Sequence, residues 1–199
     1  MSSVMTPLES MIALLSRLPG LGPRSGRRLT LHLLRDQEER LFPLIEALTK
    51  AMETVTTCHS CGNLDSQNPC QICSNEKRSP STLCLVAEVS DLWAMERSHA
   101  YTGKYLVLGG LLSALDGRGP DDLNLALLRQ KVSTGDIEEV IFALNATVEG
   151  QTTAHFLQDL LSQYDVKVTE LAHGVPVGGE LDYLDATTLQ TALARRQAV

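Results

Sequence analysis

The chain has 199 residues, enough for one large domain or two small ones, and 43% of them are hydrophobic. No apolar run approaches the ~20 residues that a membrane-spanning helix needs, which argues against a membrane partner. The net charge of −7 argues against a protein that coats nucleic acid over its whole surface. However, residues 1–50 carry seven Lys/Arg and five Asp/Glu, whereas the remainder carries ten and nineteen. This pattern indicates that a basic first segment meets phosphate while the acidic body does something else.

The first predicted helix begins at Thr6, which can act as its N-cap. Pro7 fits the first helical position, and Glu9 completes a capping box with Thr6. The helix is predicted to end at the run LPGLGP of residues 18–23, whose glycines permit a tight turn and leave backbone N–H groups uncovered. A second helix is predicted over residues 23–34.

Five arginines and no acidic residue occur between positions 17 and 35. Arg24 and Arg28 share one face of the second helix, and Arg27 lies beside them. Two helices joined by a glycine turn resemble the helix-hairpin-helix motif, in which the free amides of a helix N-terminus bind a DNA phosphate. Arginines add attraction that depends on salt but not on base sequence. We therefore predict that Arg24, Arg27 and Arg28 bind DNA, although a helical corner with a solvated basic face is the alternative.

A third helix is predicted over residues 38–55, with Pro43 in its first turn or at its start. Its apolar side chains recur with the helical period and are expected to face inward. These side chains are Leu41, Leu44, Ile45, Leu48, Met52 and Val55.

Two Cys-x-x-Cys pairs follow, formed by Cys58, Cys61, Cys70 and Cys73. Four thiolates at this spacing can bind one ion with tetrahedral geometry, and zinc is the usual ion in such a closed, structural site. The loop between the pairs has almost nothing apolar to bury, so a metal is needed to hold it folded. We predict one structural Zn²⁺ per chain. Two disulfides in a secreted protein or a redox Cys-x-x-Cys pair are the alternatives. Disulfides are disfavoured because no targeting segment is apparent and the fifth cysteine, Cys84, would have no disulfide partner.

Beyond a polar linker over residues 75–82, strand-like and helix-like runs alternate. Four short strands are predicted at residues 83–87, 105–108, 139–144 and 166–171, with helices at 90–98, after a cap at Asp121, and at 152–164. This order predicts an α/β fold with a parallel sheet flanked by helices. Functional groups of such sheets lie beyond the carboxyl ends of the strands. The residues expected there are Glu88, Gly109, Gly110, Asn145, Thr147, Glu149 and His173.

A parallel sheet with a glutamate after its first strand and an acidic motif after its third resembles the Toprim fold of topoisomerases and primases. The resemblance implies that Glu88 and two aspartates would hold Mg²⁺ for phosphoryl chemistry. In the run NATVEG, however, Asn145 and Thr147 stand at the aspartate positions, and neutral oxygens bind a hard cation less tightly than carboxylates do. Glu88 and Glu149 alone would make a weak site. We therefore predict a Toprim scaffold that is not an enzyme; a Mg-dependent Toprim nuclease or primase-like enzyme is the alternative.

The last segment is predicted to be a loop, then a strand or turn, then a helix capped by Asp185. No phosphate-binding loop of the form GxxxxGK[ST] occurs in the chain, which argues against an ATPase. The domains expected on these grounds are a helical DNA-binding region at 1–56, a zinc finger at 57–75, a Toprim domain at 80–174 and a C-terminal segment at 175–199.

These features together resemble one family. The hairpin LPGLGPRSGRRLTLHLL, the Cys₄ set, the sheet with NATVEG and the ending HGVPVGGELDYLD are similar, in order and over essentially the whole chain, to the RecR family of bacterial recombination mediators. The resemblance implies a cytoplasmic, non-enzymatic repair protein that associates with the nucleoid during repair. It also implies that the protein acts with RecO and RecF to load RecA onto single-stranded DNA that is occupied by single-strand-binding protein.

The resemblance further implies particular contacts. The family assembles through its terminal regions into dimers and a ring-like tetramer that can encircle DNA. Its DNA-contacting basic residues correspond to Arg24 and Arg28, and its RecO-binding edge corresponds to Glu88 and residues 145–149. The stretch 174–185 resembles its Walker B-like segment and is expected to serve assembly. A zinc-ribbon interaction module without a DNA role is a third hypothesis, which the absence of salt-sensitive DNA binding would favour.

Overall fold

A computed structural model describes residues 5–172, 174–194 and 196. They form two compact units that divide between Val55 and Thr56. The first unit is helical, and the second combines a Cys₄ cluster, a four-stranded parallel sheet and a C-terminal helix, so the predicted mixed α/β class is confirmed. Within the described residues, every helix is too short or too polar to cross a membrane.

The first unit contains α1 (Pro7–Ser16), α2 (Pro23–Arg35), a π-helical turn (Gln37–Leu41) and α3 (Phe42–Thr54). The predicted capping box of α1 is confirmed. Thr6 Oγ1 accepts a hydrogen bond from the backbone N–H of Glu9 at 3.3 Å, and a Glu9 carboxylate oxygen accepts one from the backbone N–H of Thr6 at 2.8 Å. The two bonds satisfy backbone donors that a helix start otherwise leaves without partners.

Close approach of α1 and α2 depends on a glycine. Gly26 is buried, and a Cβ at this position would overlap Ser16 Oγ at the end of α1. Thr30 and Leu33 are also buried, at the helical spacing that places them on the same face of α2 as Gly26. The close α1–α2 contact therefore depends on a small residue in the buried face of α2.

The third helix differs from its prediction. Residues 37–41 form the π-helical turn, and α3 begins at Phe42 with Pro43 in its first turn. The inward orientation was wrong for five apolar side chains, which are 40–79% exposed: Leu44, Ile45, Leu48, Met52 and Val55. Within the described unit α3 packs chiefly on the π-helical turn before it, so no core lies behind this face. Periodicity identifies side chains that share a helix face, but not what covers that face.

The second unit opens with an antiparallel pair, β1 (Thr56–Thr57) and β2 (Leu64–Asp65), and a short helix, α4 (Gln71–Ser74). Then follow β3 (Ser79–Val86), α5 (Val89–Ser98), β4 (Gly103–Val107), a 3₁₀ turn (Pro120–Asp122), α6 (Leu125–Val132), β5 (Glu139–Ala143), α7 (Val148–Leu161), β6 (Lys167–Glu170), a second 3₁₀ turn (Leu181–Tyr183) and α8 (Ala186–Ala194). Strands β3 to β6 are all parallel and lie in the order β4-β3-β5-β6. The predicted parallel sheet is therefore confirmed.

The sheet is buried on both faces, as parallel sheets usually are. Along β3, Leu83 and Leu85 join a core cluster with α6 and α7, whereas Cys84 and Val86 join a second cluster with Leu92 of α5. Cys84 is fully buried, and burial raises the pKa of its thiol to about 12. It therefore acts as a small apolar side chain.

The strand β3 begins inside the expected polar linker. Ser79 pairs with Gly103 of β4, and Thr82 pairs with Glu139 of β5, so backbone pairing with two neighbours extends the strand beyond its apolar part. The pairing with β4 is irregular between Ser79 and Leu83, where Pro80 lies, and such irregularities tolerate proline.

Of the two aspartates that were predicted to cap helices, one does so and the other does not. Asp121 lies in a 3₁₀ turn and does not cap α6, which begins at Leu125 after Asn124. The cap at Asp185 is confirmed, since its Oδ1 accepts a hydrogen bond from the backbone N–H of Thr188 at 2.9 Å. Short acidic side chains cap many turn types, so sequence spacing alone did not separate the two cases.

Candidate functional site

The four predicted zinc ligands come together in the second unit. Their Sγ atoms all lie within 4.8 Å of one another, and Cys61 Sγ is 3.6 Å from Cys70 Sγ. Thiolates around a tetrahedral zinc, at Zn–S distances of about 2.3 Å, lie about 3.8 Å apart, so this set fits the ion. None of the four forms a disulfide. The arrangement is a structural zinc site, because four protein ligands leave no position for a substrate.

The β1–β2 pair positions the first two ligands. The backbone N–H of Cys58 donates to the Asn63 carbonyl at 2.7 Å, and that of Gly62 donates to the Cys58 carbonyl at 2.8 Å. Gly62 has φ +79°, a conformation that a side chain would strain. The backbone N–H of Cys70 donates to Cys58 Sγ at 3.3 Å, which links the second pair to the first.

The thiols differ in acidity. A hydrogen bond with Cys73, together with burial, raises the pKa of Cys61, and the same hydrogen bond lowers the pKa of Cys73 to about 6. Burial raises the pKa of Cys70. Because the thiolate is the zinc ligand, binding Zn²⁺ would release the remaining thiol protons and supply the positive charge that lets four thiolates lie together.

The finger packs on the parallel sheet through contacts that the sequence did not predict. The backbone N–H of Val107, at the end of β4, donates to the Cys61 carbonyl at 2.8 Å. Trp93 Nε1 on α5 donates to the Oδ1 of Asn63 at 3.0 Å, and Asn63 is only 4% exposed. The finger is therefore part of the same folded unit as the sheet, and a buried polar group helps to join them.

The predicted DNA-binding arginines lie in the first unit, at the start of α2. Gly22 is the N-cap and provides no side-chain cap, so the first amides of α2 keep their donors free of side-chain partners. Arg24, Arg27 and Arg28 are exposed, and none of them forms an ion pair with a described carboxylate. A shallow cavity of about 280 Å³ beside the turn is lined by Leu21, Ser25, Arg28, Leu29 and His32.

The carboxyl ends of β3 and β5 bring together residues of the predicted partner-binding edge, for which Glu88, Asn145, Thr147 and Glu149 are the predicted contacts. Glu88, Asn145 and Glu149 line one open cavity of about 270 Å³. Thr147 does not line it; its Oγ1 accepts a hydrogen bond from the backbone N–H of Gly150 at 3.1 Å and caps α7. This cap starts α7 four residues before the predicted position. His173, which was also expected at this edge, lies outside the described residues.

Arg118 also lines this cavity. Its Nη1 lies 4.0 Å from Glu88 Oε1. Two backbone hydrogen bonds with Ser113, of 3.1 and 2.8 Å, fix the loop, and the side chain crosses Gly110, where a Cβ would overlap the guanidinium. A cation therefore lies beside the carboxylate that a Toprim metal site would use. An arginine between two glycines gives no signal of this contact before the chain is folded.

Comparison with known proteins shows which family models and relatives the chain matches. The models that match are "RecR, helix-hairpin-helix" at residues 8–52, the RecR zinc finger domain with four cysteine ligands at 55–75, "Toprim domain" at 81–172 and "RecR, C-terminal" at 174–197. Proteins named Recombination protein RecR from Brucella anthropi and Methylocella silvestris are each 59% identical over 189 residues, 95% of this chain and 94% of theirs. The protein of that name from Parvibaculum lavamentivorans is 56% identical over 190 residues, 96% of both chains.

The matches follow the order of the structural features: glycine turn, Cys₄ finger, parallel sheet and C-terminal helix. High identity over nearly the full length excludes a shared single domain as the source of the similarity. The chain belongs to the RecR family of recombination proteins.

Proposed function

We propose that this chain is a non-enzymatic mediator of recombinational DNA repair. It binds DNA and, with RecO and RecF, promotes the loading of RecA onto single-stranded DNA coated by single-strand-binding protein. The observation that carries the proposal is the set of exposed arginines at the start of α2, none paired with a described carboxylate. The relatives are named as recombination proteins, which supports the same role.

The proposed DNA contact rests on electrostatics. A helix N-terminus carries partial positive charge and free amides, which favour a phosphate oxygen. Arg24, Arg27 and Arg28 bring three full charges to the first two turns of α2. Because such contacts release counterions from DNA, binding should weaken steeply as salt rises and depend little on base sequence.

The test is DNA affinity measured by fluorescence anisotropy with a labelled gapped duplex. The double substitution Arg24→Ala with Arg28→Ala should weaken binding about tenfold or more and reduce the salt dependence by about two phosphate contacts. Arg97→Ala with Arg129→Ala is the matched control, since it removes two arginines from the second unit and changes the net charge equally. Parent-like binding by the first variant would contradict the assignment.

The lack of cleavage chemistry rests on the open cavity at the sheet edge. Asn145 contributes a neutral oxygen there, Thr147 uses its hydroxyl to cap α7, and Arg118 lies beside Glu88. Glu88, Asp116 and Glu149 line the cavity, but among the described residues these carboxylates are not brought close enough together to hold one ion, and the guanidinium of Arg118 repels a cation. Mg²⁺-dependent nicking of DNA by the purified protein that disappears with Glu88→Ala would instead establish the Toprim nuclease or primase-like alternative.

The same edge is the proposed contact for RecO, through Glu88, Asn145, Thr147 and Glu149. An exposed carboxylate (Glu88), a half-buried one (Glu149) and an exposed amide (Asn145) suit a partner surface that offers cations and hydrogen-bond donors. Glu88→Lys with Glu149→Lys should weaken RecO binding in a pull-down, while Asp159→Lys with Glu138→Lys reverses charge elsewhere on the second unit. Equal loss in both variants would argue for general charge attraction and against a specific edge.

Self-assembly is proposed for the exposed apolar face of α3, defined by Leu44, Ile45, Leu48 and Met52. A contiguous exposed apolar face is unusual on a monomer and indicates a partner. We propose dimers and a ring-like tetramer as the assembled forms.

We also propose that the protein acts in the cytoplasm and at the nucleoid. The proposed domains are the helical DNA-binding region at 1–56, the zinc finger at 57–75, the Toprim domain at 80–174 and the C-terminal segment at 175–199.

A further inference from the structure

Lys104, on the edge strand β4, reaches across to the zinc finger. Its Nζ donates hydrogen bonds to the carbonyl oxygens of Ile72, Cys73 and Asn75, at 3.2, 2.9 and 2.9 Å. Asn75 is the C-cap of α4, so the ammonium lies at the carboxyl end of that short helix and on the backbone of the fourth zinc ligand. Neither the zinc-ligand spacing nor the sheet pattern in the sequence points to this contact.

The ammonium lacks a formal counter-charge. Lys104 is partly buried, and no described carboxylate lies within ion-pair distance of it. Three carbonyl oxygens satisfy its donors but carry only partial charge. Holding a charge away from bulk water costs free energy unless an opposite charge is nearby. Zn²⁺ bound by four thiolates carries a net charge of about −2, and this cluster would lie next to Lys104.

We propose that Lys104 is a counter-cation and a positioning residue of the zinc site. It stabilises the negatively charged, metal-bound set of thiolates and holds the backbone on both sides of Cys73 in the conformation that aims this sulfur at the ion. Groups that bind the ligand residues, and not the ion itself, commonly change metal affinity roughly 10–100-fold, because they orient the ligands and balance their charge. This role is separate from the proposed DNA function.

One strand therefore holds both halves of the ligand set. The backbone N–H of Val107 on β4 donates to Cys61 in the first pair, and Lys104 on β4 binds the backbone at Cys73 in the second pair. Strand β4 lies at one end of the sheet, and an uncovered edge strand invites wrong pairing. Bound zinc and the cover over this edge thus stabilise each other through Lys104.

The test measures zinc transfer from the full-length protein to a colorimetric chelator at fixed pH and salt. Three substitutions separate charge from hydrogen bonding: Lys104→Met removes both, Lys104→Gln keeps a donor without charge, and Lys104→Arg keeps both. We expect zinc release to be about tenfold faster for Lys104→Met and several-fold faster for Lys104→Gln, with Lys104→Arg close to the parent. Lys167→Met on β6 is the matched control and should release zinc like the parent.

Each outcome decides the role. If Lys104→Met releases zinc at the parent rate, Lys104 does not act on the metal. If Lys104→Gln and Lys104→Arg behave alike, hydrogen bonding accounts for the contact and the counter-cation role is overturned. If Lys104→Met does not fold, the comparison of the Gln and Arg variants still decides the question, and the thiolate-to-metal absorption bands of their cobalt-loaded forms report whether all four sulfurs remain bound.

Discussion

The two units differ in how far their apolar and charged side chains are covered or paired within the same unit. In the described part of the first unit, Leu33 is the one buried apolar side chain, while the α3 face and the arginines of α2 remain uncovered. In the second unit the sheet is covered on both faces, the finger is tied to β4, and Glu88 has a cation nearby. Groups left without partners in a folded chain are those that gain most from another molecule. The second unit also exposes large apolar side chains, and many of them, such as Val177 and Tyr183, lie after the sheet. This contrast indicates that the first unit and the segment after the sheet depend on partners, whereas the finger and the sheet are largely covered within their own unit.

The largest expected effect is on assembly through the first unit. Leu48→Glu places a charge in the centre of the α3 face, where Leu48 is 61% exposed in the single chain. If a second copy covers this face, burying the carboxylate should raise the dissociation constant of self-assembly by about a hundredfold or more. Light scattering coupled to size exclusion would report a smaller species.

The control for this substitution is Thr49→Glu, which adds the same charge on the neighbouring polar side of α3 and should leave the assembly intact. A Leu48→Glu variant that assembles like the parent would break the contrast between the units, since the first unit would then be stable without a partner on this face.

A moderate effect is expected from tight packing in the second unit. A Cβ at Gly150 would overlap the Asn145 carbonyl oxygen, a backbone atom that cannot rotate away, so Gly150→Ala should lower the free energy of unfolding by about 2 kcal/mol. A Cβ at Gly26 would overlap Ser16 Oγ, which can rotate, but it would also lie 3.0 and 3.1 Å from backbone atoms of Ser16 and Ile12 in α1. Because alanine gains helix propensity and the backbone contacts are less severe than at Gly150, Gly26→Ala should lower the free energy of unfolding by about 1 kcal/mol.

Urea denaturation measures both variants, and Trp93, the single tryptophan of the chain, reports on the second unit by fluorescence. A larger loss for Gly26→Ala than for Gly150→Ala would mean that the first unit is the more tightly packed of the two, contrary to the contrast drawn from their burial.

The smallest expected effect is a pH dependence of α1. Backbone and side-chain hydrogen bonds with Thr6 hold the pKa of Glu9 below its usual value of 4.5. A carboxyl whose pKa is lower in the folded state stabilises that state above its unfolded pKa, and this contribution is lost as pH falls through the folded pKa. Helical circular dichroism of the parent should therefore decrease slightly more between neutral pH and pH about 3 than that of Glu9→Gln. Equal decreases would mean that the capping box does not persist in solution.

Local signals in the sequence were sufficient for much of the fold. The Thr6–Glu9 capping box, the glycine turn before α2, the alternation of apolar runs and the two Cys-x-x-Cys pairs are each encoded within a few residues. Such features depend on backbone geometry and side-chain chemistry that near neighbours determine. They predicted the class of fold, a structural zinc site and the family resemblance correctly.

Predictions from the sequence were wrong where contacts with residues far along the chain determine the structure. The α3 face was expected to be covered and β3 was expected to start later, whereas Thr147 follows β5 as expected but caps α7 and does not line the cavity. Strand pairing extends β3 through polar residues, and the choice between capping a helix and lining a cavity depends on where the helix begins. Neither is visible in the period of the side chains.

The order of amino acids specifies which chemical groups this protein carries: four thiols at metal spacing, a cluster of arginines free of acids, and neutral residues where a Toprim enzyme would carry aspartates. Folding decides which of those groups meet. Lys104 binds the backbone of Cys73 from 31 positions further along the chain, and Arg118 meets Glu88 across a similarly long stretch. The reason is physical, because contacts between remote segments are set by sheet order and helix packing, which no local pattern of residues specifies.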